Sequence, residues 1–205
     1  MNSEKDTYQT IVKASDEALF KDRGSKFYGY AYPVTSEEEI KAHIESLKKQ
    51  HHTARHWCYA WQLGMEYNSY RANDDGEPSN SAGMPIYGQL QSYDVTNVLV
   101  VVVRYFGGTK LGVGGLVQAY KTAAQQALEN SSIVQRTINT NFLLKFDYPE
   151  MNVVMRIIKD ENLKIVKQQM EMSCVFEISV RKKDGERIFN LFDTTYKVAI
   201  KKKEA

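Results

Sequence analysis

Cysteine is almost missing from this sequence: Cys58 and Cys174 are the only two in 205 residues. Standing so far apart, they form neither a disulfide framework nor the paired spacing of a zinc site. No apolar run is long enough to span a membrane. The first residues, MNSEKDTYQT, lack the charged-then-apolar order of a secretory signal, so the cytoplasm is the expected compartment. There is no Gly-x-Ser-x-Gly elbow, which leaves a serine hydrolase without support. Internal repeats and low-complexity tracts are absent too.

Neither sign of charge dominates, because the formal net charge is only +2. Its distribution is uneven. Residues 1–132 hold 13 Lys/Arg against 15 Asp/Glu, a balance of −2, whereas residues 133–205 hold 14 against 10, a balance of +4. That asymmetry suggests two units with different surfaces and is too mild to establish nucleic-acid binding. With 42% hydrophobic residues the chain can fill real cores, in one domain or two.

What the sequence does have is the stretch Asn97–Gly115, NVLVVVVRYFGGTKLGVGG. The β-branched run from Val98 to Val103 predicts a strand buried on both faces. Arg104, Tyr105 and Phe106 close it, and five of the twelve glycines follow: Gly107, Gly108, Gly112, Gly114 and Gly115. Leu116, Tyr120, Ala123 and Ala127 then recur at helical spacing. Strand, glycine loop and helix is a geometry that offers backbone NH groups to an anion. The spacing is not that of a P-loop, since Val113–Gly114 occupies the Lys–Ser/Thr position. Nor does it complete a dinucleotide fingerprint, since Val117 fills the third glycine position. Glycines also serve tight turns and close packing, so the anion reading and the purely structural one both stand here.

Elsewhere the pattern predicts strands near Tyr8–Val12, Ala18–Phe20 and Lys26–Val34, with a polar loop over Lys21–Lys26 that contains Arg23. Ser36 and Glu39 predict a capping box at a helix start. Ala54–Leu63 predicts a strand with His56, Cys58 and Ala60 on one face and Trp57, Tyr59 and Trp61 on the other. Met65–Arg71 is a candidate partner strand, and Ala82–Tyr93 contains a short helix. From residue 133 the order becomes βαββαβ, the split-βαβ plan, with a hairpin through Gln169–Glu171 and Asp184 as a helix cap. The expectation is an α+β chain of two domains, 1–132 and 133–205.

Three carboxylates, Asp74, Asp75 and Glu77, fall within four residues, in a loop that continues through Ser79, Asn80 and Ser81 to Gly83 and Pro85. Such a cluster can bind Mg²⁺ or carry out acid–base chemistry; equally, Asp–Gly and Glu–Pro simply make turns. If these acids approach Arg104 and Lys110, an ion network is the simplest outcome. His51, His52 and His56 with Cys58 fit no zinc spacing, so no metal is assigned. No catalytic residue and no cofactor are nominated.

Taken together, RGSKFYGYAYPV, ARHWCYAW, DDGEPSNSAGMPI and VVVVRYFGGTKLGVGGLVQAY resemble the Impact/YigZ family in its bacterial two-domain form, over essentially the whole chain. The resemblance implies a first domain like the ribosomal protein S5 domain 2 fold, and a second that is ferredoxin-like, akin to elongation factor G domain V. It implies a translation-associated regulator or an RNA- or ribosome-binding protein without established catalysis. Eukaryotic Impact proteins restrain an amino-acid-sensing kinase through protein contacts, so a protein-interaction module is a second implication. A small enzyme for a phosphorylated or nucleotide-like substrate is a third reading. The ligand-contact candidates are Arg104, Gly107, Gly108, Lys110, Gly112, Gly114 and Gly115, the acidic loop Asp74, Asp75, Glu77 and Ser79, and the nucleic-acid contacts Arg23 and Lys26. Asn80–Ser81 replaces the Gly–Thr usual in the family, and Gln118 replaces a frequent base.

Overall fold

The structure is a computed structural model, described for residues 6–171 and 173–203. It is an α+β protein with antiparallel sheets, and it divides into two compact units. One is Thr7–Arg136; the other comprises Asp6 and residues 137–203.

In the first unit β1 (Thr7–Ile11) pairs with β7 (Ile133–Thr137) in a small sheet of their own. The main sheet contains β2 (Ala18–Asp22), β3 (Ser25–Pro33), β4 (His56–Leu63), β5 (Ser69–Asn73) and β6 (Val98–Tyr105), in the order β2-β3-β6-β4-β5. Every pairing in it is antiparallel. The helices are α1 (Glu37–Gln50), α2 (Gly83–Ser92) and α3 (Gly112–Glu129).

β6 is central because it is apolar on both sides. Val98, Val100 and Val102 enter the core with Ile86 and Leu90 of α2 and Tyr120 and Ala123 of α3. Leu99, Val101 and Val103 enter a second core with Ile40 and Leu47 of α1. All six are fully buried, each worth about 1.5–3 kcal/mol of transfer free energy. The expected split of β4 holds as well, with Cys58 and Ala60 in one core and Trp57, Tyr59 and Trp61 in the other.

Two local expectations change. The polar loop over Lys21–Lys26 is mostly strand, and only Arg23 and Gly24 turn the chain. Both are left-handed, at φ 43° and 80°, the pairing a two-residue hairpin requires. At the start of α1, Ser36 does accept from the Glu39 NH at 3.3 Å. Glu39, however, reaches back to the Thr35 NH at 2.6 Å, one residue beyond the box position.

The second unit contains β8 (Asn139–Asp147), α4 (Met151–Asp160), β9 (Lys164–Gln169), β10 (Ser173–Arg181), α5 (Gly185–Asp193) and β11 (Val198–Lys202). Its sheet order is β11-β8-β10-β9, antiparallel throughout. Phe142, Leu144, Phe146, Phe176 and Ile178 pack under Val154, Ile158, Ile188 and Phe192 of the two helices. Asp184 occupies the cap position of α5 without making a side-chain cap bond. The expected hairpin joins β9 to β10, and Met172 within it lies outside the described residues.

Candidate functional site

The site forms where β6 runs out. Register sets Arg104 between Phe27 of β3 and His56 of β4. Its guanidinium carbon lies 5.5 Å from the Phe27 ring centroid and 5.6 Å from that of Phe106, so cation–π attraction holds it from both sides. One terminal nitrogen donates to Glu77 Oε1 at 2.6 Å. The two side chains are only 7% and 4% exposed, so the expected ion network exists as one buried pair. Tyr120 donates to the same Glu77 oxygen at 2.8 Å. Arg104 Nε is buried and has no hydrogen-bond partner among the described residues, a costly state for a charged donor unless a ligand or water completes it.

Beside this pair opens a cavity of about 440 Å³, within the ordinary range for small-molecule sites. Arg55, His56, Glu77, Arg104, Lys110 and Val113 are among the residues that line it. Three permanent cations face one carboxylate that is already paired, so the cavity favours an anion. His56 Nδ1 lies 2.9 Å from the Asp75 carbonyl oxygen. A carbonyl can only accept, so Nδ1 is the donor in this contact and Nε2 is the ring nitrogen it leaves uncommitted. A larger groove, about 570 Å³, runs between α2 and α3 with Lys121 as its one charged residue. Its lining gives no charge pattern to act on, and the smaller cavity is the candidate.

The glycines divide. Gly112, Gly114 and Gly115 are not loop residues but belong to the first turn of α3. Gly112 has φ +72°, a conformation that L side chains rarely adopt, and Leu111 before it supplies no side-chain cap. The opening NH groups of α3 therefore receive no cap from Leu111; the helix starts at the cavity wall formed by Leu111, Gly112 and Val113, and Gly112, Val113 and Gly114 are exposed. Gly107 serves packing: a Cβ there would sit 1.9 Å from the Gly24 carbonyl carbon. Its NH is taken by Ser25 Oγ at 3.1 Å. Gly108 is exposed and does not line the cavity.

The acidic loop reaches the cavity through Glu77 and Pro78, so Glu77 is the one carboxylate it brings there. Asp74 acts as the remote cap of α2: its Oδ1 accepts from the Ala82 and Gly83 NH groups at 2.9 and 2.8 Å, and its Oδ2 from Asn80 at 2.8 Å. Asp75 Oδ2 accepts from the Trp57 NH at 2.7 Å. Asp74 is thus committed to backbone NH groups, Asp75 is held by one such bond, and neither lines the cavity. Ser79 is exposed and does not line the cavity. Asn80 has φ +59°, a left-handed conformation that asparagine adopts more readily than other non-glycine residues. Arg23 and Lys26 are exposed on the β2–β3 hairpin, outside the cavity, and the Gly24–Gly107 contact joins that hairpin to the loop.

Beneath the pair, Cys58 Sγ lies 2.9 Å from the Asp74 carbonyl oxygen and 3.3 Å from the Tyr120 hydroxyl. Burial pushes the Cys58 thiol upward against the opposing hydrogen bond with Tyr120, with smaller help from nearby carboxylates, and burial followed by Cys58 and Glu77 pushes the Tyr120 phenol upward. Both stay protonated, so Cys58 is no nucleophile. His51 is buried elsewhere, with Nε2 2.6 Å from Tyr30 Oη and Nδ1 3.0 Å from Tyr105 Oη. Among the described residues, no three His, Cys, Asp or Glu side chains could together hold a metal ion, and no helix is long and apolar enough to cross a membrane.

Arg55, His56 and Phe106 were not among the nominated site residues. The β4–β6 pairing brings His56 opposite Arg104, and no sequence pattern announces that register.

The fold and cavity define a two-unit α+β protein with a cationic pocket at the end of its central strand. The Impact N-terminal domain model matches residues 23–128, a span containing every residue of the cavity. The IMPACT family member YvyE of Bacillus subtilis strain 168 is 30% identical over 178 residues, covering 87% of this chain and 82% of that protein. YigZ of Escherichia coli K12 is 34% identical over 145 residues, covering 70% and 71%. This chain belongs to the IMPACT family. A solved structure described as a hypothetical protein superposes at TM-score 0.71 with 26% identity, over 98% of each chain.

Proposed function

We propose that the chain is a translation-associated regulator that binds the phosphate groups of RNA, free or in the ribosome, through the cavity at the end of β6. The observation that carries this reading is Arg104, buried against two aromatic rings with Nε unpartnered among the described residues, next to Lys110 and a start of α3 that Leu111 does not cap. Backbone NH groups at a helix start and a preset guanidinium are complementary to a phosphate. The exposed ring of Phe106, 52% accessible, offers a face for a base. Family membership supports the link to translation. On the same footing, the two domains are 1–132 and 133–205. The first is S5 domain 2-like, and the second is ferredoxin-like, a reading supported by its βαββαβ order and its β11-β8-β10-β9 sheet.

The test uses anisotropy of a single-stranded RNA oligonucleotide across a salt series. Replacing both exposed cavity cations, Arg55→Ser with Lys110→Ser, lowers affinity and reduces the log–log salt slope by about 1.4, at roughly 0.7 per phosphate contact. Unchanged affinity and slope reject the site.

One observation favours a second reading. The acidic and glycine segments do share one cavity through Glu77 and Gly112, as an enzyme for a phosphorylated substrate would need. In that case His56 Nε2 is the available base, in place of Asp74 or Asp75. Turnover of nucleotides or phosphate esters, followed by ³¹P NMR with His56→Gln as control, separates it from binding alone. A lysate partner retained after nuclease treatment would favour the protein-interaction reading instead.

A further inference from the structure

The second unit has a face that its helices do not cover. α4 and α5 pack on Phe142, Leu144, Phe146, Cys174, Phe176, Ile178 and Val180, so the alternate residues of each strand form the opposite surface. Register builds that surface row by row. Ala199, Lys145, Val175 and Gln169 make one row; Lys201, Leu143, Glu177 and Lys167 the next; Asn141, Ser179 and Lys164 the third.

Charge in these three rows is mostly of one sign, and Asp147, next along β8 on the same side, is an exposed carboxylate at their end. Lys145, Lys164, Lys167 and Lys201 are exposed and make no ion pair among the described residues. The carboxylate at the centre, Glu177, is buried and already satisfied: Lys203 Nζ lies 3.0 Å from both of its oxygens, and Asn141 Nδ2 donates at 2.9 Å. Arg181, at the edge, is paired with Asp6 at 2.6 Å. The helix side differs, because its charges alternate in sign and pair locally, Arg187 with Glu161 at 2.8 Å and with Asp184 at 3.9 Å.

We propose that this open sheet face is a binding surface for the phosphate backbone of a nucleic acid strand. It is independent of the cavity in the first unit and of any reading of that cavity. Four unpaired lysines spread over strands about 4.8 Å apart offer point charges to a flexible polyanion. No aromatic residue stands in these rows, the cavity of about 340 Å³ at the β8–β11 end of the face is lined by Lys145, Asp147, Ser173 and Lys197 among others, and lysine is depleted at the centres of protein interfaces. A protein partner therefore fits poorly. The same lack of base-reading groups makes the binding indifferent to sequence and to the 2′-hydroxyl.

The experiment compares the full chain with a variant carrying Lys145→Ser, Lys164→Ser, Lys167→Ser and Lys201→Ser, titrated with single-stranded RNA and DNA of equal length. Thermal unfolding confirms that the variant is folded. The proposal predicts a loss of at least about tenfold in affinity near 0.1 M salt for both nucleic acids. It also predicts a fall of about 3 in the log–log salt slope, four contacts at roughly 0.7 each. The corresponding Lys→Arg variant retains binding, and the Arg55/Lys110 variant retains this component, so the two sites fail separately. An unchanged slope in the serine variant overturns the proposal. So does equal binding, lost in the same variant, of poly-glutamate or of phosphatidylserine vesicles, since either would assign the face to another polyanion.

Discussion

Arg104 on the central strand and Glu77 in the acidic turn meet at 2.6 Å with both side chains almost wholly buried. That contact fastens the loop to the sheet and fixes the guanidinium at the wall of the cavity. It also determines how the site fails.

Truncating one partner leaves the other as a buried, uncompensated charge. Glu77→Ala lowers stability by about 3–5 kcal/mol, read as a shift of the urea midpoint. The double variant Glu77→Leu with Arg104→Met loses less than either charge-stranding single change. A single variant within about 1 kcal/mol of wild type would show that the pair is not buried in solution.

Two glycine substitutions should move in opposite directions. Gly107→Ala drives a methyl into the backbone of Gly24, 1.9 Å away, and destabilises the fold as overpacking does, by about 1–3 kcal/mol or more, seen as a lower Tm. Gly114→Ala meets nothing within 4 Å and adds helix propensity at the start of α3. It holds or raises stability by up to about 1 kcal/mol. Equal effects on Tm would contradict the division of these glycines between packing and helix.

Asp74 satisfies three backbone NH groups ahead of and within α2. Asp74→Ala therefore costs about 1.5–3 kcal/mol through lost charged hydrogen bonds, and Asp74→Asn costs less. Amide exchange at Ala82 and Gly83 checks it: faster exchange is expected in the alanine variant, and unaltered protection would refute the cap.

Alkaline pH should weaken the fold. Burial raises the Cys58 thiol and the Tyr120 hydroxyl, and Tyr30 follows in the same direction. Folded, these groups keep their protons, while the unfolded chain releases them above about 8.5 for cysteine and 10 for tyrosine. Their contribution is complete below about pH 8.5 and declines above it, by up to about 1.4 kcal/mol per pH unit for each group. Chemical denaturation from pH 7 to 11 tests this, with Tyr120→Phe flattening the upper part of the decline. The thiol of Cys58 stays unreactive to a disulfide reagent until the protein unfolds.

How much of this could be read beforehand depended on whether the determinant was local. The run Val98–Val103 announced a doubly buried strand because β-branched residues without alternation fit little else. The βαββαβ order followed from periodicity in the same way. The start of α3 was read late because three glycines look like a loop, and only the backbone shows that Gly112 opens the helix. Asp74 and Asp75 looked like chemistry because their partners, the NH groups of Ala82, Gly83 and Trp57, come from chain segments that sequence spacing does not connect. His56 reached the site through strand register, and Arg55 immediately precedes it in the chain. The lysine face of the second unit was visible only as an excess of charge until pairing put Lys145, Lys167 and Lys201 on one side.

The most direct test of the phosphate site is a ¹⁵N NMR titration of the full chain with inorganic phosphate and then a nucleoside monophosphate. The account predicts saturable shifts at the Gly112, Val113 and Gly114 amides together with the Arg104 Nε–H, abolished by Arg55→Ser with Lys110→Ser. Shifts confined to other residues, or none at these four groups at millimolar ligand, would contradict it.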